Sequence, residues 1–325
     1  MSSVFLTGAT GFIGSHVLRE LRSAGYSVRA LMRSKRTGNT DDGVEFVIGD
    51  LTDTGSLTRA LDGCRYVMHC AALYSFAPYA RAMIHRVNVL GTAGLLEAAR
   101  IAGVERAVVT SSSAAIGPAR DGRPATEEDW AHDDRASAYH YSKVAQERAA
   151  LAARVPTVLV LPTAPMGPGD VKPTPTGRLV LDFARGKINV APPNGGMNVV
   201  AVEDVARAHV AALERGKPRE RYILGGENLT LDQLWAILSD VTQRPLPRTR
   251  VPYPLILAAA WCDELRCRYF QRDAEPAVPL EGVRMSRELM FADSTKAERE
   301  LDYRPTPVRG AIERAVTWYR TNGYL

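Results

Sequence analysis

The chain has 325 residues, 46% hydrophobic and 24% charged, with 26 glycines, 20 prolines and a formal net charge of +5. This is the composition of a large globular domain, or of one domain with a smaller lobe, and no apolar run approaches the ~20 residues of a membrane-spanning helix. The basic residues are spread along the chain without interleaved aromatics, which argues against a nucleic-acid partner. From the start, strands and helices alternate. SSVFLTG reads as a buried strand, and the helix after it carries Phe12, Ile13, His16, Val17, Leu18 and Leu21 on one face. Further strands are read at 27–33, 44–50, 65–72, 105–113 and 157–163, with helices at 56–63, 80–102 and 138–154. The pattern predicts an α/β fold, a Rossmann-type doubly wound parallel sheet with right-handed crossovers.

After Pro162 the rhythm changes. Proline and glycine cluster in PTAPMGPGDVKPTPTG, and shorter helices follow at 177–186, 203–215, 230–243 and 307–321, with RYILGG as a strand among them. The expected division is a dinucleotide-binding domain over 1–162 and a smaller C-terminal substrate lobe over 163–325, interleaved with the first rather than folding alone. The run 252–270 has an apolar face with Trp261 and Phe270, read as a helix packed on the lobe. The sharper alternative is an apolar substrate entrance or a loose membrane-surface contact.

Gly8, Gly11 and Gly14 stand between the first strand and the first helix. In such a unit one glycine permits the tight turn, one lets backbone approach a pyrophosphate, and one lets helix and strand pack closely. The helix N-terminus then faces the anion. Tyr139 and Lys143 lie four apart on a predicted helix and so share a face. A phenol of pKa ~10 must fall about three units to exchange protons near neutrality, about 4 kcal/mol, which an ammonium at ~4 Å supplies at an effective dielectric of ~20. Just upstream, TSSSAAIG closes the fifth strand, where a serine hydroxyl can hold a substrate carbonyl.

Between Glu20 and Asp41 there is no acidic residue to bind a ribose diol; instead Arg33, Lys35 and Arg36 follow the second strand. A guanidinium fork suits a 2′-phosphate, so NADP(H) is favoured over NAD(H). The four cysteines and six histidines lack metal-ligand spacing, so no metal is expected. Scattered cysteines read as reduced thiols in a cytoplasmic protein, and His69 reads as a residue lining the cofactor cleft.

TGATGFIG, GDL at 49–51, HCAA at 69–72, NVLGT at 88–92, TSSSAAIG and Y-x-x-x-K together resemble the extended short-chain dehydrogenase/reductases. GDVKPTPTGRLVLDFARGK, VEDVARAHVAALERG, ERYILGGENLTL and TWYRTNGYL are similar to the hopanoid-associated sugar epimerases beside the dihydroflavonol-4-reductase-like group. The resemblance implies that Ser112, Tyr139 and Lys143 are catalytic. Ser112 is chosen because it stands five residues before Gly117, as the family's serine does. It implies cofactor contacts from Gly8, Thr10, Gly11, Phe12, Ile13, Gly14, Arg33, Arg36, Asp50, Leu51, Ala71, Ala72, Asn88, Thr110, Tyr139, Lys143 and Pro162. Asp50 would meet the adenine end, and Asn88 would support the active-site helix. Where related sugar-nucleotide enzymes carry Arg-Pro and Tyr-Gly after the sixth strand, this chain has Leu161-Pro162 and Met166-Gly167.

The function expected is an NADP-dependent oxidoreductase, moving hydride between nicotinamide and a secondary alcohol or ketone of a polyol, sugar-like or lipid-linked substrate, with a place in hopanoid biosynthesis implied by the resemblance. Tyr74, Phe76, Ser113, Met166 and Trp261 are the candidate substrate contacts. A homodimer is admitted. Two alternatives stand beside it: an epimerase that retains NAD while oxidising and re-reducing one carbon of a nucleotide sugar, and a non-catalytic NADP-sensing protein.

Overall fold

A computed structural model of the chain describes residues 2–325 apart from 35–42, 76–77, 120, 132–137, 189–194, 248–250, 272–273 and 275. The elements of the first half are β1 Ser3–Thr7, α1 Phe12–Ser23, β2 Ser27–Met32, β3 Val44–Ile48, α2 Thr54–Ala60, β4 Tyr66–His69, α3 Arg81–Ile84, α4 Gly91–Ile101, β5 Arg106–Thr110, α5 Ala138–Ala152 and β6 Thr157–Pro162. The second half adds β7 Ala164–Met166, α6 Pro175–Ala184, β8 Gly196–Ala201, α7 Val202–Arg215, β9 Arg221–Leu224, β10 Glu227–Thr230 and α8 Leu231–Thr242. It ends with α9 Tyr253–Tyr269, α10 Leu280–Met285, β11 Leu289–Met290, α11 Thr295–Leu301 and α12 Val308–Thr321.

Seven parallel strands form the main sheet in the order β3-β2-β1-β4-β5-β6-β9. Both faces of its central strands are covered, so β1, β4, β5 and β6 carry continuous buried runs rather than alternating ones. In β1, Val4 and Leu6 enter the core under α1 and α7, while Phe5 points to the opposite core under α2, α4 and α5. Strand order reverses between β1 and β4, and a doubly wound sheet binds its ligand outside the carboxyl ends at such a switch.

RYILGG, read as part of the second lobe, instead supplies β9, which pairs with β6 at the edge of the main sheet. The preceding α7 packs against that sheet, with Val205, Ala206 and Leu213 in the α1-side core. A strand's local pattern states that it is buried, not in which sheet it lies. The remaining C-terminal elements make a four-stranded sheet in which β8 pairs with β7, β10 and β11. A separate core forms around α6, α8 and α12, with Phe183 stacked on Trp235 at a ring-centroid distance of 5.6 Å.

The long helix expected at 80–102 is present as one continuous helical run over 81–101, with a π-helical turn inside it. A 3₁₀ turn at Pro78–Ala80 leads into α3, a π-helical turn spans His85–Leu90, and α4 continues from Gly91. Among the described residues no helix is long and apolar enough to cross a membrane.

Candidate active site

The turn after β1 is built on backbone. Gly8 has φ +77°, and a Cβ there would lie 2.7 Å from the Ala71 nitrogen, so no side chain fits. A Cβ on Gly14 would fall on the Gly8 carbonyl oxygen. Gly11 donates its N–H to that same oxygen at 2.9 Å and starts α1 with no side chain capping it. The first-turn N–H groups and the positive end of the helix therefore point out of the turn, an arrangement fit to receive a dinucleotide diphosphate. Thr10 and Gly11 are exposed there, Phe12 and Ile13 half-buried.

At the far end of the cleft, Arg33 follows β2 and is exposed. Asp50, after β3, accepts hydrogen bonds from Thr52 N and Thr52 Oγ1, both at 2.7 Å. These bonds hold its carboxyl below the ordinary value, and the charges of Arg33 and Arg86 add to the effect. Leu51 packs under Gly91, where a Cβ would stand 3.3 Å away. Arg36 lies outside the described residues.

The end of β5 separates the three serines. Ser111 is buried with its hydroxyl donated to Glu147. Ser112, half-buried, accepts the Ala114 N–H at 3.2 Å and starts the short turn Ser113–Ala115. Ser112 and Ser113 are thus the accessible pair. Tyr139, in the first turn of α5, is half-buried, and its ring packs edge-on to Tyr74 at a centroid distance of 4.3 Å. One turn on, Lys143 is 1% exposed, with Nζ 5.8 Å from the Tyr139 ring centroid. Its ammonium donates to Thr110 O at 3.2 Å and to Gln146 Oε1 at 2.8 Å. Burial lowers its pKa to about 8, against the pull of Glu147.

Asn88 lies in the π turn and is fully buried. It accepts the Leu73 N–H at 2.7 Å, and donates to Leu73 O at 2.9 Å and Ser142 Oγ at 3.2 Å. It thereby ties α5 to the chain after β4, next to Ala71 and Ala72. π turns recur at functional sites because the widened turn re-aims one side chain.

Among the remaining substrate candidates, Tyr74 is 38% exposed beside Tyr139 and Trp261 is 58% exposed on α9. Only Ala260 and Cys267 of α9 are buried, so this helix packs along a narrow edge and presents Leu255, Trp261 and Tyr269 outward. Met166 is 1% exposed and belongs to the small core, on β7, which pairs with β8. Pro162 ends β6 in register with Leu224. Phe76 lies outside the described residues. His69 does not line the cleft either: it is fully buried, its imidazole between Thr7 and Thr92, with its pKa lowered to about 3 by burial.

Sequence reasoning missed Thr92, Gln146 and the pair formed by Glu147 and Arg221, with Arg221 Nε 2.8 Å from Glu147 Oε2. Gln146 and Glu147 stand three and four residues after Lys143, and that spacing alone places them on the same buried face. Among the described residues no group of three or more histidine, cysteine or acidic side chains could hold a metal.

An α/β sheet that offers an uncapped helix end at its switch point, with a buried lysine under an adjacent tyrosine, defines the class: a nicotinamide-dinucleotide-dependent enzyme. The chain belongs to the NAD dependent epimerase/dehydratase family, which it matches over residues 4–225. It is 41% identical over 331 residues to a putative dihydroflavonol 4-reductase of Synechocystis sp., covering 99% of this chain and 95% of that one. It is 34% identical over 331 residues to sterol demethylase protein B of Methylococcus capsulatus, covering 99% and 100%. The crystal structure of gox2253 superimposes with a TM-score of 0.85 at 37% identity, covering 100% of both chains.

Proposed function

We propose that this enzyme is an NADP(H)-dependent oxidoreductase acting on a secondary alcohol or ketone of a relatively apolar, lipid-linked or polyol substrate. The observation that carries the reading is the placement of Tyr139, with Lys143 beneath its ring and Tyr74 against its edge. When bound, the nicotinamide supplies or accepts the hydride at C4. Tyr139 gives its phenolic proton to the carbonyl oxygen as the carbon becomes a carbinol, and takes it back in the oxidative direction. Ser112 holds that oxygen by a hydrogen bond. Lys143 stabilises the phenolate left behind and holds the cofactor's ribose.

Arg33, with no acid at the end of β2, supports the 2′-phosphate and hence NADP(H). The names of the dihydroflavonol and sterol relatives support a polycyclic or lipid-related substrate. So do the apolar and aromatic side chains of Tyr74 and Trp261. The family also contains epimerases, and an epimerase that keeps its cofactor through oxidation and re-reduction is the second reading.

The test has two parts. Fluorescence titration should show NADPH bound more tightly than NADH. A panel of apolar ketones and nucleotide sugars, followed by NADPH consumption and by epimer formation, should show turnover of ketones with stoichiometric oxidation of NADPH. Interconversion of a nucleotide-sugar pair without added cofactor would replace this reading by the epimerase.

A further inference from the structure

Behind Lys143 runs a chain of buried polar groups that the proton exchange itself does not use. Gln146, Thr92, His69 and Thr7 are all fully buried, and they come from α5, α4, β4 and β1 in turn. Gln146 Nε2 donates to Thr92 Oγ1 at 2.9 Å, and Thr92 Oγ1 donates to Asn88 O at 2.6 Å. His69 Nε2 lies 2.8 Å from Thr92 Oγ1, His69 Nδ1 lies 2.7 Å from Thr7 Oγ1, and Thr7 Oγ1 accepts the Ala71 N–H at 3.2 Å.

Every proton in the chain is placed by its neighbours. An ammonium only donates, so the Gln146 oxygen faces Lys143 and its amide nitrogen faces Thr92. A carbonyl only accepts, so the single Thr92 proton goes to Asn88 O. Thr92 therefore accepts from His69, whose proton sits on Nε2, and Thr7 donates to the bare Nδ1. A directed hydrogen-bond chain of this kind has one arrangement and resists displacement.

We propose that Gln146 is a positioning residue that aims the Lys143 ammonium, held from behind through Thr92 and His69 by the strand that leads into the glycine turn. The lysine is thus fixed relative to the same backbone that receives the diphosphate. This rests on the reading of Tyr139 and Lys143 as the reacting pair. With Thr110 O and Gln146 Oε1 taking two of the ammonium's protons, the third is directed to the side of Tyr139 and the cofactor.

The charged and titratable groups facing Lys143 are Tyr139 and Glu147 on α5, with Arg221 of β9 behind Glu147, His69 on β4, Cys70 just after it, and His209 of α7 across Thr110. Burial keeps His69 and His209 neutral, at about 3 and about 4, and holds the Cys70 thiol up at about 12. The Glu147 carboxyl is pushed up by burial and pulled back by Arg221, so we assign an alkaline limb between pH 7 and 10 to Lys143, lowered to about 8.

The experiment is the pH profile of NADPH-dependent turnover for the unmodified enzyme and for Gln146→Leu, Gln146→Glu and Lys143→Met. Leucine removes an acceptor that favours the charged lysine, so the alkaline limb should move down by about one pH unit; glutamate adds an opposite charge, so it should move up by about one unit. Opposite shifts from one position are not what a merely structural role produces. An unmoved limb in both variants, or shifts of the same sign, would overturn the proposal. If Gln146→Leu fails to fold, the upward shift in Gln146→Glu decides alone. Lys143→Met separates the two levels of the argument: unaltered turnover and cofactor affinity there would remove the reading beneath, whereas a loss of both beside an unmoved limb in the Gln146 variants removes only the role of Gln146. ¹⁵N spectroscopy of the cofactor-bound protein should find His69 protonated on Nε2, and an Nδ1–H imidazole would contradict the chain.

Discussion

Gly14 and Gly11 are both glycines of one turn, yet they are glycine for different reasons. A methyl group on Gly14 meets the Gly8 carbonyl, which is backbone and cannot step aside. On Gly11 it would stand 3.2 Å from the same oxygen, at an ordinary φ of −79°. Gly14→Ala should therefore destabilise the fold by about 1–3 kcal/mol through overpacking of α1 on β1. Gly11→Ala should cost about 1 kcal/mol, because its one tight contact is 3.2 Å against 2.0 Å at Gly14, and should act instead on cofactor affinity by crowding the diphosphate. Urea unfolding beside NADPH titration checks the contrast, and equal stability losses in the two variants would contradict it. The need for side-chain-free positions was legible in TGATGFIG because it is local. The chain from Lys143 through Gln146 to Thr7 was not, because its members lie up to 139 residues apart in sequence, as positions 146 and 7 make plain, and share no one motif.

Helix α5 carries the reacting side chains on one turn and a buried ion pair on the next. Glu147 is 0% exposed and Arg221 6%; the guanidinium also stacks on Trp130, 4.0 Å from the ring centroid, and donates to Glu127 O and Asp129 O. Burial pushes the Glu147 carboxyl up, and Arg221 pulls it back. The pair joins α5 to the edge strand β9, so it links the active-site helix to the segment that returns from the second lobe. Removing one partner of a buried pair strands the other charge: Arg221→Met should cost about 3–5 kcal/mol, and the Glu147→Gln/Arg221→Met double variant markedly less than the sum of the singles. Chemical denaturation of the four proteins measures this, and strictly additive losses would show the two residues to act separately. The π turn at His85–Leu90 belongs to the same scale. Apolar spacing over 80–102 was helical from end to end, and one widened turn does not disturb that spacing. The widened turn carries Asn88 to Leu73 and Ser142, contacts that no local pattern records.

In the whole molecule, the chain leaves the main sheet after β6, builds β7, α6 and β8, returns for α7 and β9, and leaves again. The strand–helix rhythm of the first half was readable because each crossover repeats the last. The second half was readable in α6, α7, α8, α9 and α12, but not in the short α10 and α11 nor in β7, β8, β10 and β11, none longer than six residues among the strands or seven among the helices. Of the substrate candidates, Met166, chosen as an apolar residue of the proline-rich stretch 162–177, is buried in the small core, while Tyr74 lies against Tyr139 after β4. The function proposed for this interleaved fold is hydride exchange at Tyr139. The most direct test is transfer of deuterium from NADPH labelled at nicotinamide C4 to an apolar ketone, read by mass spectrometry of the product, for the unmodified enzyme and Tyr139→Phe. The unmodified enzyme should place one deuterium on the carbinol carbon, and Tyr139→Phe should bind NADPH nearly as well while transferring none. Undiminished transfer by the phenylalanine variant would contradict the account at its centre.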